Sequence, residues 1–439
     1  MKIALPPEVT FIIEELMKNG YEAYAVGGCV RDTLLGRPAD DWDVTTSALP
    51  LEIKQIFDRT VDTGIEHGTV TVLIKKKCFE VTTYRIDGTY ADGRHPDSVT
   101  FTFDLLEDLR RRDFTINAMA YNDFTGIIDQ FGGTEDLHRG VIRCVGNACE
   151  RFQEDALRIL RAIRFSAQLG FEIEKKTSEA IKKIAPDLLK ISRERIQTEL
   201  TKLLLSAHPE YFRLVYEMGI TRLILPEFDE MMTMPQNNPW HCYSVGEHTL
   251  KMMEYIPKDK VLRWTALLHD SGKIYTKKAG ADGSDYFPDH ALESEKIAKK
   301  ILKDLKMDND TINQVTQLIH WHAYPFKGDK ASIRKVLFQI GTELFLKLLS
   351  VMEADTLAQS DFQKELQLQQ IHETAKLYHE ILKDGDCISL KMLAVNGKDL
   401  IEAGMKQSRE IGSVLNQLLE LVLEHPEYNT KEELLKRIR

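Results

Sequence analysis

A pair of glycines ends an apolar stretch, a short helical pattern follows, and two aspartates stand one residue apart just beyond it. No other feature constrains this chain as strongly. The segment YEAYAVGGCVRDTLLGRPADDWDVTTS occupies residues 21–47. Tyr21–Val26 reads as a buried strand, the residues after Gly27-Gly28 as a helix closing at Gly36, and Trp42–Thr46 as a second strand carrying Asp41 and Asp43. Residues two apart on a strand share a face, so the two carboxylates project together. Holding them close is costly without a cation, and hard oxygen ligands suit Mg²⁺ with phosphates in its shell. A glycine pair at a strand-to-helix turn lets backbone N–H groups approach a phosphate. An Asp-x-Asp alone reads first as a solvated turn. The upstream glycines direct the reading toward metal-dependent nucleotidyl transfer.

The chain has 439 residues, enough for several domains. Its net charge of −10 excludes a strongly basic nucleic-acid binder, though not a nucleic-acid substrate. Residues 151–200 reverse the balance, with 11 Lys+Arg against 8 Asp+Glu, and can carry phosphate contacts. Pro6 and Pro7 interrupt any apolar leader after Lys2, and no run reaches membrane-spanning length, so a cytoplasmic protein with no membrane partner is expected. The six cysteines lack C-x-x-C spacing and read as reduced thiols.

Val9, Ile12, Ile13, Leu16 and Met17 mark one helical face stopped by Gly20. Thr69–Ile74 and Phe79–Arg85 read as strands joined by a Lys75-Lys76-Lys77 turn. Val99, Phe101 and Phe103 alternate as another strand, and Gly126–Phe131 and Gly140–Val145 read as the last ones. From about residue 150 nearly everything follows a 3.6-residue period, broken near Pro186, at His208-Pro209, across 231–239 and around Gly385.

Three further segments carry chemistry. In LRRRDFTINAMAYN, Asp113 is placed to N-cap a helix beginning at Phe114, with Arg111 and Arg112 ahead of it as a triphosphate clamp or simply a solvated basic lead-in. In DQFGGTEDLHRGVIRCVG, Gly132-Gly133 fits a tight turn between strand and helix. In EDALRILRAIRF, Glu154, Arg158 and Arg161 share a helical stripe with Asp155 beside Arg158, which reads either as a surface ion pair or as a template for a base. A carboxylate accepts from an exocyclic amine and an arginine donates to a ring nitrogen or carbonyl, so one Asp–Arg pair accepts cytosine and adenine and rejects uracil and guanine.

GGCVRD…DDWDVTTSALP, RRDFTINAMAY, DQFGGTEDL…IRCVG, EDALRILRAIRF and SRERIQTEL stand in the order found in the bacterial (class II) tRNA nucleotidyltransferases. Residues 1 to about 230 resemble that family, relatives of bacterial poly(A) polymerase in the polymerase-β-like superfamily. The resemblance implies that Asp41 and Asp43 hold two Mg²⁺ ions, with Glu80 a possible third carboxylate. Asp41, Asp43 and Arg111 become the candidate catalytic residues. Gly27, Gly28 and Arg31 would handle triphosphate, and Arg111, Arg112, Asp113 and Asn117 would bind phosphates and sugar. Asp155 and Arg158 would read the base with Glu154 orienting the arginine and Arg161 nearby. In-line attack by a primer 3′-hydroxyl on the α-phosphorus would release pyrophosphate. The expected partners are a tRNA acceptor end, CTP and ATP, with no obligatory protein partner. The G-G-x-V-R-D form speaks against the poly(A) polymerase branch, and Tyr90–Pro96 (YADGRHP) fills the loop that CC-only enzymes lack. Full CCA addition is the preferred reading; A-only addition or a poly(A) polymerase is the alternative.

Six of the thirteen histidines fall between His241 and His322. The segments GEHTLKMM, ALLHDSGK, FPDHALES, IHWHAYP and MEADTLAQ resemble the HD superfamily of metal phosphohydrolases. That resemblance makes His248, His269, Asp270 and Asp355 the core ligands, with His290 and His322 extending toward a second metal or a phosphate; His320 and His241 are less securely placed. The metal would be Mn²⁺, Ni²⁺, Co²⁺, Fe or Mg²⁺, and the activity a phosphatase or 2′,3′-cyclic phosphodiesterase. A more distant reading is an HD phosphohydrolase with an RNA-binding head. The expected class is α+β: a polymerase-β-like nucleotidyltransferase head with a small mixed sheet (1–145), an all-α neck and body (146–230), an all-α HD domain (231–385) and a helical tail (386–439).

Overall fold

The computed structural model describes residues 2–39, 41–88, 98–406 and 409–438. The chain divides into two compact units, Met1–Pro226 and Glu227–Arg439.

The first unit is α+β. Its strands include β1 (Ala23–Val26), β2 (Asp43–Thr46), β3 (Thr60–Gly64), β4 (Thr69–Ile74), β5 (Lys77–Thr83), β6 (Arg85–Asp87), β7 (Val99–Phe101), β8 (Ala120–Asn122) and β9 (Gly126–Ile128). Seven of them form one sheet in the order β3-β4-β5-β2-β1-β8-β9. The β2–β5 pair is parallel and its neighbours are antiparallel, so the sheet is mixed. β6 and β7 make a separate antiparallel ribbon. The register Val26↔Asp43 sets the start of β2 beside the end of β1, where the chain turns at Gly27 into helix Gly28–Leu34. Helix Pro7–Lys18 buries Val9, Ile12, Ile13 and Leu16.

Several expectations shift. Asp41 lies two residues ahead of β2, since the strand begins only at Asp43. The β4–β5 turn is two residues, Lys75 and Lys76, both at positive φ as a two-residue hairpin of matching twist requires; Lys77 already belongs to β5. β3 escaped the sequence reading because it is an edge strand with three exposed residues and no apolar alternation. No helix begins at Phe114: Phe114 is extended and only a single 3-10 turn, Thr115–Asn117, follows. The backbone there is bridged to Val145 and Arg143, which removes it from a helical ladder. Val141–Ile142 is not in the main sheet; it pairs in parallel with Glu172–Ile173. The loop Tyr90–Pro96 lies outside the described residues.

The period that runs through EDALRILRAIRF also breaks. Helix Ala148–Glu154 stops at Asp155, and helix Leu157–Leu169 starts after it. The Asp155 carboxylate accepts from the Leu157 N–H at 3.0 Å, a local bond that competes with helix continuation. Beyond it, helices Lys175–Ile184 and Arg193–Leu204 complete the main helical packing.

The second unit is built on helices Val245–Tyr255, Lys260–Leu268, His290–Asp304, Asn309–Trp321, Lys330–Ala358 and Lys364–Asp384. Its described residues depart from all-α in a short hairpin of Lys278–Ala279 with Asp285–Tyr286 and an isolated bridge between Asn238 and His241. The long helix kinks at Gly341, whose φ of 78° interrupts it. Gly385 closes Lys364–Asp384 in the left-handed conformation. The tail carries its own apolar core, including Leu400, Leu419, Val422 and Leu434. Buried Arg334 reaches it, donating to the Leu423 carbonyl at 2.7 Å and to Asp386 at 2.8 Å. Among the described residues, no helix is long and apolar enough to cross a membrane.

Candidate active site and metal centre

In the first unit the site grows from the turn between β1 and helix Gly28–Leu34. Gly27 is buried at φ 84°, ψ −129°, a region that L side chains avoid. A Cβ on it would also lie 3.0 Å from Arg112 Nη1, whereas one on Gly28 would meet nothing closer than Arg31 Nη2 at 3.6 Å. The two glycines therefore differ in kind. Asp43 is exposed at the start of β2. Partial burial raises its carboxyl above the ordinary range, Arg112 opposes this, and Glu80 and Asp41 add to it. The carboxylates of Asp41, Asp43 and Glu80 are a donor set that fits Mg²⁺.

Beneath the turn runs a buried polar chain. Arg31 grips Asp32 with Nε and Nη2 and donates from Nη1 to Asn117 Oδ1 at 2.7 Å. Asn117 Nδ2 donates to Asp113 Oδ1 at 3.1 Å, and Arg161 donates to Asp113 Oδ2 from Nε (2.8 Å) and Nη2 (2.5 Å). Burial works against the Asp113 carboxylate, yet Arg161 and Asn117 hold it well below the usual range. Arg31, Arg161 and Arg164 surround the Phe165 ring, with 5.0, 5.4 and 4.2 Å from guanidinium carbon to ring centre. The predicted stripe of Glu154 with Arg161 is thus divided: Arg161 serves Asp113.

Glu154 Oε2 accepts from Arg158 Nη1 at 2.6 Å, and its other oxygen is engaged by Arg151. Arg158 Nη2 also donates to the Arg111 carbonyl at 3.2 Å, joining the proposed base reader to the arginine pair. Asp155 and Arg158 do not pair with each other as side chains in this structure. Asp155 Oδ2 is held by Arg195 Nη2 at 2.7 Å. Arg195 lies in the quoted SRERIQTEL, but its partner is 40 residues away and no local spacing announces the contact. Across the turn, Gly133 packs so tightly that a Cβ would lie 2.3 Å from the Thr115 carbonyl, and Asp136 accepts from Thr115 Oγ1 at 2.6 Å.

In the second unit four imidazoles converge. Each turns Nδ1 to a backbone carbonyl: His248 to Ala358 (3.4 Å), His269 to Ala266 (2.9 Å), His290 to Phe287 (2.9 Å) and His322 to Ile319 (2.6 Å). With Nδ1–H donating, the four Nε2 atoms present lone pairs to one centre, as metal-ligating histidines do. His290 Nε2 and His322 Nε2 are only 3.3 Å apart. Asp270 stands between two groups, His248–His269–Asp270 and Asp270–His290–His322, whose ligand atoms lie within 4.8 Å of one another. Its Oδ2 is 3.3 Å from His269 Nε2 and its Oδ1 is 3.6 Å from His290 Nε2. Asp355 Oδ1 is 2.8 Å from His248 Nε2. Buried His269 Nε2 and Asp270 Oδ2 have no hydrogen bond of good geometry, although Lys273 Nζ approaches Asp270 to 2.8 Å. Burial, with His269 and His290 nearby, pushes His322 down to about 3; burial likewise lowers His290. His269 moves the other way: burial opposes its charge, but Asp270 and Asp355 raise it. Imidazole nitrogens, carboxylates and orphaned lone pairs in this arrangement fit one or two divalent cations.

The sequence reading missed Lys273, which donates to Gln236 at 2.8 Å and sits 3.4 Å from His241 Nε2. Its signal was its place four residues after His269. His241 lines the same cavity, of about 520 Å³, together with Tyr324, Phe326, Gln359 and Gln370. His320 turns away to Glu295.

Residues 23–143 match the poly A polymerase head domain family, residues 170–232 the probable RNA and SrmB-binding site of polymerase A, and residues 290–438 the putative tRNA nucleotidyltransferase domain 2. The CCA-adding enzyme of Ligilactobacillus salivarius is 36% identical over 439 residues, spanning all of this chain and 96% of that protein. That of Enterococcus faecalis is 36% identical over 435 residues, 98% of this chain and 94% of its own length. Among solved structures, the Bacillus stearothermophilus CCA-adding enzyme in complex with CTP superposes with a TM-score of 0.74 at 31% identity, covering 99% of this chain and 98% of that one. The chain belongs to the family of CCA-adding enzymes.

Proposed function

We propose that the chain is a template-independent tRNA nucleotidyltransferase that adds CCA to tRNA 3′ ends from CTP and ATP, in the cytoplasm. The observation that carries this reading is the juxtaposition of Asp43, Gly27 and Arg112 at one strand end, with Arg158 tied to Arg111 behind them. The CTP complex of the Bacillus stearothermophilus relative supports it. Asp41 and Asp43 would hold two Mg²⁺ ions, which when bound supply Lewis-acid activation of the primer hydroxyl and neutralise the phosphates. Arg111 and Arg112 draw the triphosphate to the strand end, and Gly27 leaves them room. Arg31, Asn117, Asp113 and Arg161 form the rigid floor beneath it. Asp155 accepts from the amine of cytosine or adenine while Arg158, steered by Glu154, donates to the adjacent ring nitrogen. Arg195 holds Asp155 until a base competes for it. Positioning and charge neutralisation do most of the catalysis. Residues 1–145 act as the head, 146–230 as neck and body, and 386–439 as the tail.

The test uses tRNA transcripts ending at the discriminator base, at C or at CC, with labelled CTP or ATP. Incorporation of C onto the shortest transcript is expected. Addition of A alone, only to the CC-ended transcript, would replace this reading by A-only addition, and untemplated A runs would point to a poly(A) polymerase.

A second activity is favoured by the histidine cluster. We infer that residues 231–385 act as an HD-type metal phosphohydrolase on phosphate esters, including 2′,3′-cyclic phosphates. His248, His269, Asp270 and Asp355 would hold the first divalent metal, with His290 and His322 on the other side of Asp270. Lys273 supplies a positive charge for the phosphate. Opening of a 2′,3′-cyclic nucleotide to its 2′- or 3′-monophosphate, or release of phosphate from such a monoester, with added Mn²⁺, Ni²⁺ or Co²⁺ tests it; silence with every metal would leave a binding module.

A further inference from the structure

We propose that Asp108 is a positioning residue for nucleotidyl transfer, a buried carboxylate that fixes the Arg111 and Arg112 guanidiniums so that their charge meets a triphosphate instead of the Asp41–Asp43 pair. The proposal rests on the transfer reading above.

Asp108 lies in helix Leu105–Arg110, which Asp104 caps by accepting from the Leu106 N–H at 2.8 Å. Its side chain is fully buried, which an aspartate tolerates only when paired. Asp108 Oδ1 accepts from Arg111 Nε at 2.9 Å and lies 2.8 Å from Arg111 Nη2. Oδ2 accepts from Arg112 Nη2 at 3.4 Å and from Thr45 Oγ1 at 3.1 Å. Thr45 stands two residues after Asp43 on β2, on the same face of that strand. One carboxylate thus ties both arginines to the strand that carries the catalytic aspartate. Burial opposes its charge, but Arg111 and Arg112 keep it ionised, with its carboxyl below the ordinary range.

The geometry also shows what Asp108 prevents. Arg112 Nη1 rests at the face of Gly27, and its charge already acts on Asp43. Without a carboxylate behind it, Arg112 would be left to Asp43, whose charge it already meets. A guanidinium drawn there competes with the metal for the same oxygens. Both Asp108 oxygens are engaged and neither is exposed, so the residue acts through the arginines and not on the nucleotide.

The test uses the full-length protein. Asp108→Asn keeps the size and an acceptor for Thr45 and removes the charge. Thr45→Val removes only the hydroxyl contact and remains a good strand residue. KM for CTP, kcat and the Mg²⁺ concentration at half-maximal rate are measured on tRNA lacking CCA, and CTP affinity by calorimetry without tRNA. For Asp108→Asn, KM, the Mg²⁺ requirement and the calorimetric Kd should each rise about tenfold, the scale of one lost charged hydrogen bond. The kcat at saturating Mg²⁺ should fall less. Thr45→Val should move KM the same way by about twofold, and Asp108→Glu should recover part of the loss. A purely structural role would lower Tm and the active fraction while leaving KM, Mg²⁺ requirement and Kd at wild-type values in both variants, and would overturn the proposal. Failure of the wild-type protein itself to incorporate C or A overturns the transfer reading and this inference with it. Wild-type transfer with unmoved variants overturns the inference alone.

Discussion

Gly27 and Gly28 look equivalent in the sequence, and the structure says that they are not. Gly27→Ala places a Cβ where φ is 84° and ψ is −129°, at a strain of about 1–3 kcal/mol. It also sets that Cβ 3.0 Å from Arg112 Nη1, so the guanidinium must retreat by a few tenths of an ångström. Gly28→Ala falls at the first position of a helix with its nearest neighbour at 3.6 Å. There alanine is better than glycine by roughly 0.5–1 kcal/mol. Both lie in the unit Met1–Pro226, a size for which 1 kcal/mol moves Tm by about 2–4 °C. Scanning calorimetry of the full-length variants should therefore show Gly27→Ala lowered by roughly 4–8 °C for a cost near 2 kcal/mol. Gly28→Ala should be unchanged or slightly raised. Steady-state assays should show a higher nucleotide KM for Gly27→Ala, because Arg112 has moved. Equal Tm values for the two variants, or a Gly27→Ala protein with wild-type Tm and KM, would refute the strain argument and the placement of Arg112.

Other perturbations separate the two units. Asp43→Ala should abolish nucleotide incorporation and leave hydrolysis of a 2′,3′-cyclic nucleotide intact; parallel loss of both would contradict separate sites. Chelator treatment should lower the unfolding temperature of the second unit, and Mn²⁺ at a hundredfold excess over its Kd should restore about 2.7 kcal/mol. Asp355→Asn and His322→Ala should blunt that restoration, and an unaltered response in both would remove these residues from the metal centre. Arg334→Met leaves Asp386 and the Leu423 carbonyl without their buried donor. It should cost about 3 kcal/mol or more, with faster proteolysis at the tail; wild-type protease resistance would exclude a fastening role.

The elements that were legible in the sequence are those set by neighbours in the chain. An apolar run into Gly27 and a helix closing at Gly36 need only local sterics, and the histidine clustering needs only composition. The failures share a physical cause. At Asp155 the apolar period continues unbroken, but the aspartate's own side chain captures the Leu157 N–H and ends the helix, a competition that periodicity does not register. After Asp113 the residues favour a helix, yet the Thr115 N–H is given to the Arg143 carbonyl and the Asp113 carbonyl accepts from the Val145 N–H. Asp108 and Arg111 stand three apart, a spacing that reads as a surface ion pair; only burial against Thr45 turns it into a fixed support. Charge partners chosen across tens of residues, as Arg195 is for Asp155 and Arg161 for Asp113, decide which groups remain available to a ligand. The sequence motifs named the residues near the chemistry, but the division of labour among them follows from these long-range pairings. Arg158 is the clearest case. Its partner Glu154 is local, while its bond to the Arg111 carbonyl ties the proposed base reader to the proposed phosphate clamp, so that a change at either should be felt in nucleotide affinity.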